Sequence, residues 1–532
     1  MHGVHEVAGS NPVSPTTSLD KLGTTTGKPD KIKCYTLCMI INKGMNFIAK
    51  VRPFKQLKEL GKIEGKYKIT GHDDNEREAY ALQSKEEILN AFAKYSGDNR
   101  EALESILKKF PYITDPYNIY LNLKEIEART KKNVFLALSM WDFNGCLSQD
   151  RDGYSRTETF VPVLKEVISE QIKRLGSFVV VSASTSEQMA YHMKKEKDIA
   201  KNIIIATENG RGWLVPMEQD DGQIKLVEFQ KPLKNNQKMT LDRVSEILEK
   251  LCEIMRKNGL IAFVNKQKFS KCTMEGAGNG KDWYETAIKQ LLLPYLQKNG
   301  AIWDGNSKEF SFENIRFNVS PTVDTWEIDI IEASEAIGKV TARQILQNSI
   351  SDIWEKQEFV KQIHWEMSGG DSFKWDGSDV GLTDPDYIAL PFAVSGDSDP
   401  LSSLDLISEI VQYGRKFWPI YGNNRDGKIK LTGYGMAAAN YMKTVLDIVP
   451  CVEIPIEVLK KYLTERLQAA EGFVKTGRVY DLDDDIVLYD FPNDISEKQK
   501  QIFLKAGSDV SKDPEEQSQI LEKIRKLVGL DN

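Results

Sequence analysis

The sequence predicts an α/β chain built on a parallel sheet with crossover helices, and three observations carry that prediction. Short apolar runs, among them Val134 to Met140, Phe178 to Val181 and Asn202 to Ala206, alternate with amphipathic stretches such as Phe160 to Leu175. A long block, residues 210–325, interrupts the alternation with helix and strand patterns of its own. The chain has 532 residues, more than one hydrophobic core supports, so roughly two to four structural units are expected.

Composition narrows the function classes. With 41% hydrophobic and 28% charged residues, the chain belongs with packed globular proteins and not with disordered, collagen-like or mucin-like ones. A net charge of −7 gives no general attraction to nucleic acid or to an anionic membrane, so neither is an expected partner. No apolar run reaches the length of a membrane-spanning helix, about eighteen residues. Of six cysteines only Cys34 and Cys38 lie close together, which is neither a disulfide framework nor a zinc-knuckle spacing, and a reducing cytoplasm is the expected location. His72, His192 and His364 show no metal-binding pairing, and His2 and His5 fall in the leader.

Residues 1–30 are rich in Ser, Thr, Gly and Pro and lack apolar periodicity, so they are expected to be disordered. The string Val7-Ala-Gly-Ser-Asn-Pro-Val-Ser-Pro15 also resembles the translated end of a transfer-RNA gene. It predicts either a coding start placed too early, the true one lying near Met39 or Met45, or a gene beside a transfer-RNA gene. Residues 31–130 read as a small α+β or helical unit, with a helical stretch from Lys85 to Phe110 that Pro111 stops. The core is expected over 131–209 and 326–401, with later strands at Trp326 to Ile331, Ile363 to Met367 and Tyr387 to Val394 and a helix from Val340 to Ile353. The inserted block carries a helix from Thr240 to Lys257 and strands at Leu260 to Val264 and Phe310 to Asn318. Residues 402–532 read as mainly helical: Ser403 to Tyr413, Gly435 to Val449, Ile456 to Glu471 and Glu515 to Val528. The acidic cluster Asp481-Leu-Asp483-Asp484-Asp485 reads as a solvated turn.

Chemistry concentrates at strand ends. Asp142 closes an apolar strand and is followed by Asn144 and Gly145. That places a carboxylate on the carboxyl edge of the sheet, where open α/β folds bind ligands. Ser182 and Ser184 follow the strand Phe178 to Val181, Glu208-Asn209-Gly210 follows the next, Lys339 opens a helix after Trp326 to Ile331, and Asp371 and Asp379 follow Ile363 to Met367.

In that order the segments resemble the four motifs of the haloacid dehalogenase superfamily. The resemblance covers residues 131 to about 400 and leaves both flanks unassigned. It implies a Rossmann-like core with an inserted C2-type cap at 210–325, as in trehalose- and sucrose-phosphate phosphatases and phosphomannomutases. It implies Asp142 as nucleophile forming an aspartyl-phosphate, Ser182 and Lys339 as phosphoryl-binding groups, and Mg2+ held by Asp142, the carbonyl of Asn144, Asp371 and Asp379. The implied partner is a small phosphorylated substrate, by analogy of cap type a phosphosugar. One position departs from the pattern: Asn144 stands where the family places an aspartate that protonates the leaving oxygen, and an amide has no such proton. Three readings stay open, namely a phosphatase, a catalytically impaired binding protein, and a phosphosugar mutase suggested by the Asp371 to Asp379 spacing. Gly276 to Lys281 lacks the spacing of a phosphate-binding P-loop.

Overall fold

The computed structural model describes residues 57–63, 66–95, 116–144, 146–148, 157–266, 271–277, 283, 286–303, 309–312, 315–321, 325–331, 339–356, 362–370, 390–395, 418–421, 436–505 and 514–530. Residues 1–30, the stretch Ser403 to Tyr413, and both Asp371 and Asp379 lie outside them.

Among the described residues, strands before the insertion are β1 (Lys58–Ile63), β2 (Tyr67–Gly71), β3 (Val134–Asp142), β4 (Phe178–Val181), β5 (Ile203–Thr207), β6 (Gly212–Glu218) and β7 (Ile224–Gln230). Within it are β8 (Ile261–Asn265), β9 (Lys271–Ala277), β10 (Ile302–Trp303), β11 (Glu309–Phe312), β12 (Ile315–Pro321) and β13 (Thr325–Ile331). After it come β14 (Ile363–Gly370), β15 (Leu390–Ser395), β16 (Trp418–Tyr421), β17 (Cys451–Val452) and β18 (Val474–Tyr480).

Six strands are mutually parallel in the order β16-β15-β14-β3-β4-β5. Chain order reverses at the β3–β14 neighbourhood, since β3 leads outward to β4 while β14 leads outward to β15. That junction is the topological switch point, whose crevice at the carboxyl edge is where such sheets hold ligands. The parallel strands are near-continuous apolar runs because helices cover both faces. On one face lie helices Pro116–Thr130, Pro162–Leu175, Ser186–Lys194 and Met436–Ile448, packed on Leu136, Phe178, Val180, Ile203 and Ile205. On the other lie Lys339–Lys356 and Ile456–Ala469, packed on Met140, Val179, Val181, Ile204 and Ala206.

The insertion folds as a separate antiparallel sheet, β10-β11-β12-β13-β9-β8, against the helix Asn235–Lys257. Leu241, Val244, Leu248 and Leu251 of that helix share one core with Ala262, Val264, Cys272 and Met274, the spacing of three and four being that of a single helix face.

Three sequence expectations need correction. The strand Thr325–Ile331, expected in the parallel core, pairs antiparallel between β12 and β9 in the inserted sheet. Its sequence alternates Glu327 and Asp329 with isoleucine, the period of a half-buried antiparallel strand and not of a doubly covered parallel one. Conversely β6 and β7, expected in the insertion, extend the core sheet antiparallel beyond β5, so the inserted fold begins after Gln230. Finally, the flanks are not free-standing units. β2 pairs with β17, β17 pairs with β3, and β18 pairs with β7, so strands from both ends of the chain complete the core sheet.

Candidate active site

Asp142 reaches its position through a defect in the sheet. Leu136 pairs with Trp365 and Leu138 with Glu366, so Ala137 is an extra residue in β3. Strand side chains alternate between faces, and a one-residue bulge exchanges them. Before the bulge Val134 and Leu136 join the core on the Pro162–Leu175 face. After it Leu138 and Met140 join the opposite core, under the helix Lys339–Lys356. Asp142, in phase with Met140, therefore faces that helix. Without Ala137 the carboxylate would point to the wrong side of the sheet.

Lys339 is the first residue of that 18-residue helix, and its ammonium forms an ion pair with Asp142 Oδ1. The two side chains are 3% and 6% exposed. Water screens such a pair little, and the helix N-terminus adds partial positive charge to the same spot. Lys339 thus stands beside Asp142 although the strand preceding it in sequence belongs to the other sheet.

The loop after β4 lies alongside. Asp142 pairs with Val181 across the sheet, so Ser182 stands at the neighbouring strand end, fully buried. Its Oγ accepts a hydrogen bond from the Ser184 amide at 3.0 Å. Thr185 then caps the helix Ser186–Lys194 through a reciprocal bond with Gln188. Ser184 Oγ accepts from Asn144 Nδ2 at 2.9 Å. Sequence reasoning noted Ser184 beside Ser182 but gave it no role. The chain after Asp142 turns at once, with Leu147 N and Ser148 N both donating to Phe143 O at 3.0 and 2.9 Å.

The turn Glu208–Gly210 closes the site from beneath. Glu208, Asn209 and Gly210 have φ of 48°, 58° and 93°, a left-handed run that side chains resist and glycine accepts. Asn209 N donates to Ser182 O at 2.9 Å and Glu208 N to Ser184 O at 3.0 Å. A Cβ on Gly210 would stand 2.9 Å from Ala342 Cβ, so the turn sits directly on the helix that carries Lys339.

Neither His192 nor His364 replaces the missing acid, and His364 lies far from Asp142, at the opposite end of β14 across from Phe135. Burial pushes His192 down to about 3, with Lys195 adding to it, and His192 packs its ring 4.7 Å from Phe143. Burial also pushes His364 down to about 4. Both are neutral near pH 7.

The Asp142 carboxylate, a hard oxygen donor at the sheet edge, suits a divalent cation such as Mg2+, and the Asn144 backbone follows two residues on. β14 ends at Gly370, one residue before Asp371. Among the described residues no group of three His, Cys, Asp or Glu side chains gathers. The two remaining expected ligands, Asp371 and Asp379, are not among them. Asp142, Lys339 and Ser182 are brought together, and Asn144 joins them through Ser184.

No protein-family model and no curated protein matches the chain. Solved structures similar to it include a haloacid dehalogenase-like hydrolase from Bacteroides thetaiotaomicron, 10% identical, with a TM-score of 0.31 over 58% of this chain and 99% of that one. A subclass IIB sugar phosphatase is 8% identical, with a TM-score of 0.27 over 52% and 98%. The IMP-nucleotidase of Plasmodium falciparum is 14% identical, with a TM-score of 0.31 over 62% and 66%. Among the described residues no helix is long and apolar enough to cross a membrane.

Proposed function

We propose that this chain has a haloacid dehalogenase-type core with the insertion as its cap, and that it is a phosphomonoester hydrolase acting through Asp142. The observation that carries the reading is the buried Asp142–Lys339 pair at the β3–β14 switch point. A cation with so little solvent beside a strand-end carboxylate suits a site where further negative charge arrives.

Asp142 would attack phosphorus in line, forming an Asp142 O–P bond as the bond to the leaving oxygen breaks and its electron pair departs with that oxygen. Lys339 would hold charge shared by the carboxylate and the phosphoryl oxygens, and Ser182 would donate its hydroxyl proton to one of them. When bound by Asp142, the Asn144 carbonyl and Asp371, with Asp379 orienting the set, Mg2+ supplies charge neutralisation at the phosphoryl group. Water then attacks phosphorus, releasing inorganic phosphate and the free carboxylate. Asn144 supplies no proton to the leaving oxygen, so the alcohol takes one from solvent, and substrates with acidic leaving groups are favoured. The substrate class we assign is a small phosphomonoester; a phosphosugar belongs to it but, with a weakly acidic alcohol to expel, would turn over slowly in the native protein.

A second reading, a protein that binds phosphorylated ligands without turning them over, is favoured by one observation. The Asn144 amide donates to Ser184 Oγ, an arrangement that fixes the loop while doing no acid–base chemistry. The test is phosphate release from an aryl phosphate and a panel of sugar phosphates with magnesium, comparing native protein with Asp142→Asn and Asn144→Asp. The hydrolase reading expects aryl phosphate turnover that Asp142→Asn abolishes. It also expects Asn144→Asp to raise turnover of sugar phosphates by about 10²- to 10⁴-fold, the usual worth of a general acid. Native protein without turnover and an Asn144→Asp variant without gain would leave the binding reading.

A further inference from the structure

The C-terminal segment visits both sheets in turn. β18 pairs with β7, the outer strand of the core sheet, from Val474 opposite Gln230 to Tyr480 opposite Leu226. Arg478 and Tyr480 both donate to Glu187 Oε1, at 2.8 and 3.1 Å. Glu187 lies in the first turn of the helix that follows the Ser182–Thr185 loop. The acidic cluster comes next, a solvated turn with Asp483, Asp484 and Asp485 exposed, and its carboxylates reach lysines of the core. Asp481 pairs with Lys225 at 3.0 Å, Asp483 pairs with Lys197, and Lys194 is bound by Asp485 at 3.1 Å and by the Asp484 carbonyl at 2.7 Å. All three lysines belong to the core.

Beyond the cluster the chain changes hands within three residues. Ile486 packs against the core cluster that includes Phe143, Leu164 and Ile205. Leu488 packs against Phe263 of the cap, together with Tyr489, Phe491, Ile495 and Phe503. Val487 between them is 69% exposed. Further described residues also meet the cap: Asp494 binds Arg256 at 2.7 Å, Trp283 donates to the Gln517 carbonyl at 3.4 Å, and Leu521, Ile524 and Val528 complete the cap core.

We infer that residues 474–505 are a strap that ties the cap to the core and limits how far the cap swings away from Asp142. Two peptide units span at most about 7 Å. A cap motion that moves the Leu488 pocket farther than that from the Ile486 pocket must pull one side chain out. Because Arg478 and Tyr480 hold Glu187, the core end of the strap also bears on the helix behind the Ser182 loop, so cap position and loop position are joined through one segment.

The test measures geometry and does not depend on turnover, so it stands or falls apart from the hydrolase reading. Spin labels go on the full chain at Lys173→Cys on the core and Lys257→Cys on the cap, whose side chains are 74% and 69% exposed. Cys34→Ser and Cys38→Ser remove two further thiols, and the other four cysteines are buried. Pulsed dipolar spectroscopy then compares this protein with one carrying eight Gly/Ser residues inserted after Val487, and with Ile486→Asp. The strap requires a narrow distance distribution in the parent and one at least twice as wide in both variants. Distributions that superimpose across all three proteins would overturn it, as would a parent already as wide as the insertion variant.

Discussion

Replacing Lys339 by methionine tests the electrostatics of the site most sharply. The substitution keeps the length and apolar stem of the side chain but leaves the Asp142 carboxylate, 6% exposed in the pair, without its cation. Removing one partner of a buried ion pair costs about 3–5 kcal/mol, because the remaining charge stays desolvated. For a core of this size, roughly 2–4 °C of melting temperature accompanies each kcal/mol, so a drop of roughly 6–20 °C is expected in the presence of a chelator. Asp142→Asn with Lys339→Met removes both charges and should recover most of that loss, giving a coupling of about 2 kcal/mol or more in the double-mutant cycle. If a cation binds at Asp142, added magnesium should raise the melting temperature of Lys339→Met more than that of the native protein. Differential scanning fluorimetry of the four proteins with and without magnesium supplies the numbers. A Lys339→Met protein melting within about 1 °C of native, or single losses that simply add, would refute the reasoning.

Other consequences follow from single positions. Gly210→Ala forces a side chain into φ of 93° and sets its Cβ 2.9 Å from Ala342 Cβ. A loss of about 2–4 kcal/mol is expected in denaturant unfolding, with loosened amide exchange in the Ser182–Thr185 loop. Ser184→Ala removes the acceptor of the Asn144 amide and should cost about 1 kcal/mol, largely restored by Ser184→Thr. Acid should destabilise the core through its buried histidines. His192 and His364 are held near 3 and 4 by burial, below the unfolded value of about 6.5, so the unfolded chain binds protons first. Their stabilising contribution is complete above about pH 6.5 and falls by about 1.4 kcal/mol per histidine per pH unit below it, down to their folded values. Unfolding of His192→Phe followed between pH 7 and 4.5 should show a shallower decline than native.

The parallel core was legible because its strands are written as unbroken apolar runs. Phe178 to Val181 and Ile203 to Ala206 have no polar position, which only a doubly covered strand permits. Asp142, Ser182 and Lys339 stood out as candidates because each stands at the end of such a run or the start of a helix. The alternation in Thr325–Ile331 also carried its own message, an antiparallel half-buried strand, and proximity to Lys339 masked it. The bulge at Ala137 was not legible: alanine fits either register, and only pairing with β14 decides which face Asp142 takes. The strap was hidden for a related reason. Asp481 to Asp485 is a solvated acidic turn, and nothing local tells that Lys194, Lys197 and Lys225, about 260–290 positions away, meet it. Long-range partners of that kind leave no local pattern in a chain.

The most direct measurement of the central claim is covalent trapping at Asp142. Protein is mixed with an aryl or acyl phosphate and magnesium, quenched in acid within milliseconds to seconds, digested and mapped by mass spectrometry. A phosphoryl group on the peptide carrying Asp142, absent from Asp142→Asn and longer-lived in native protein than in Asn144→Asp, is the expected result. Phosphate release without any adduct at Asp142, or an adduct that survives Asp142→Asn, would contradict it.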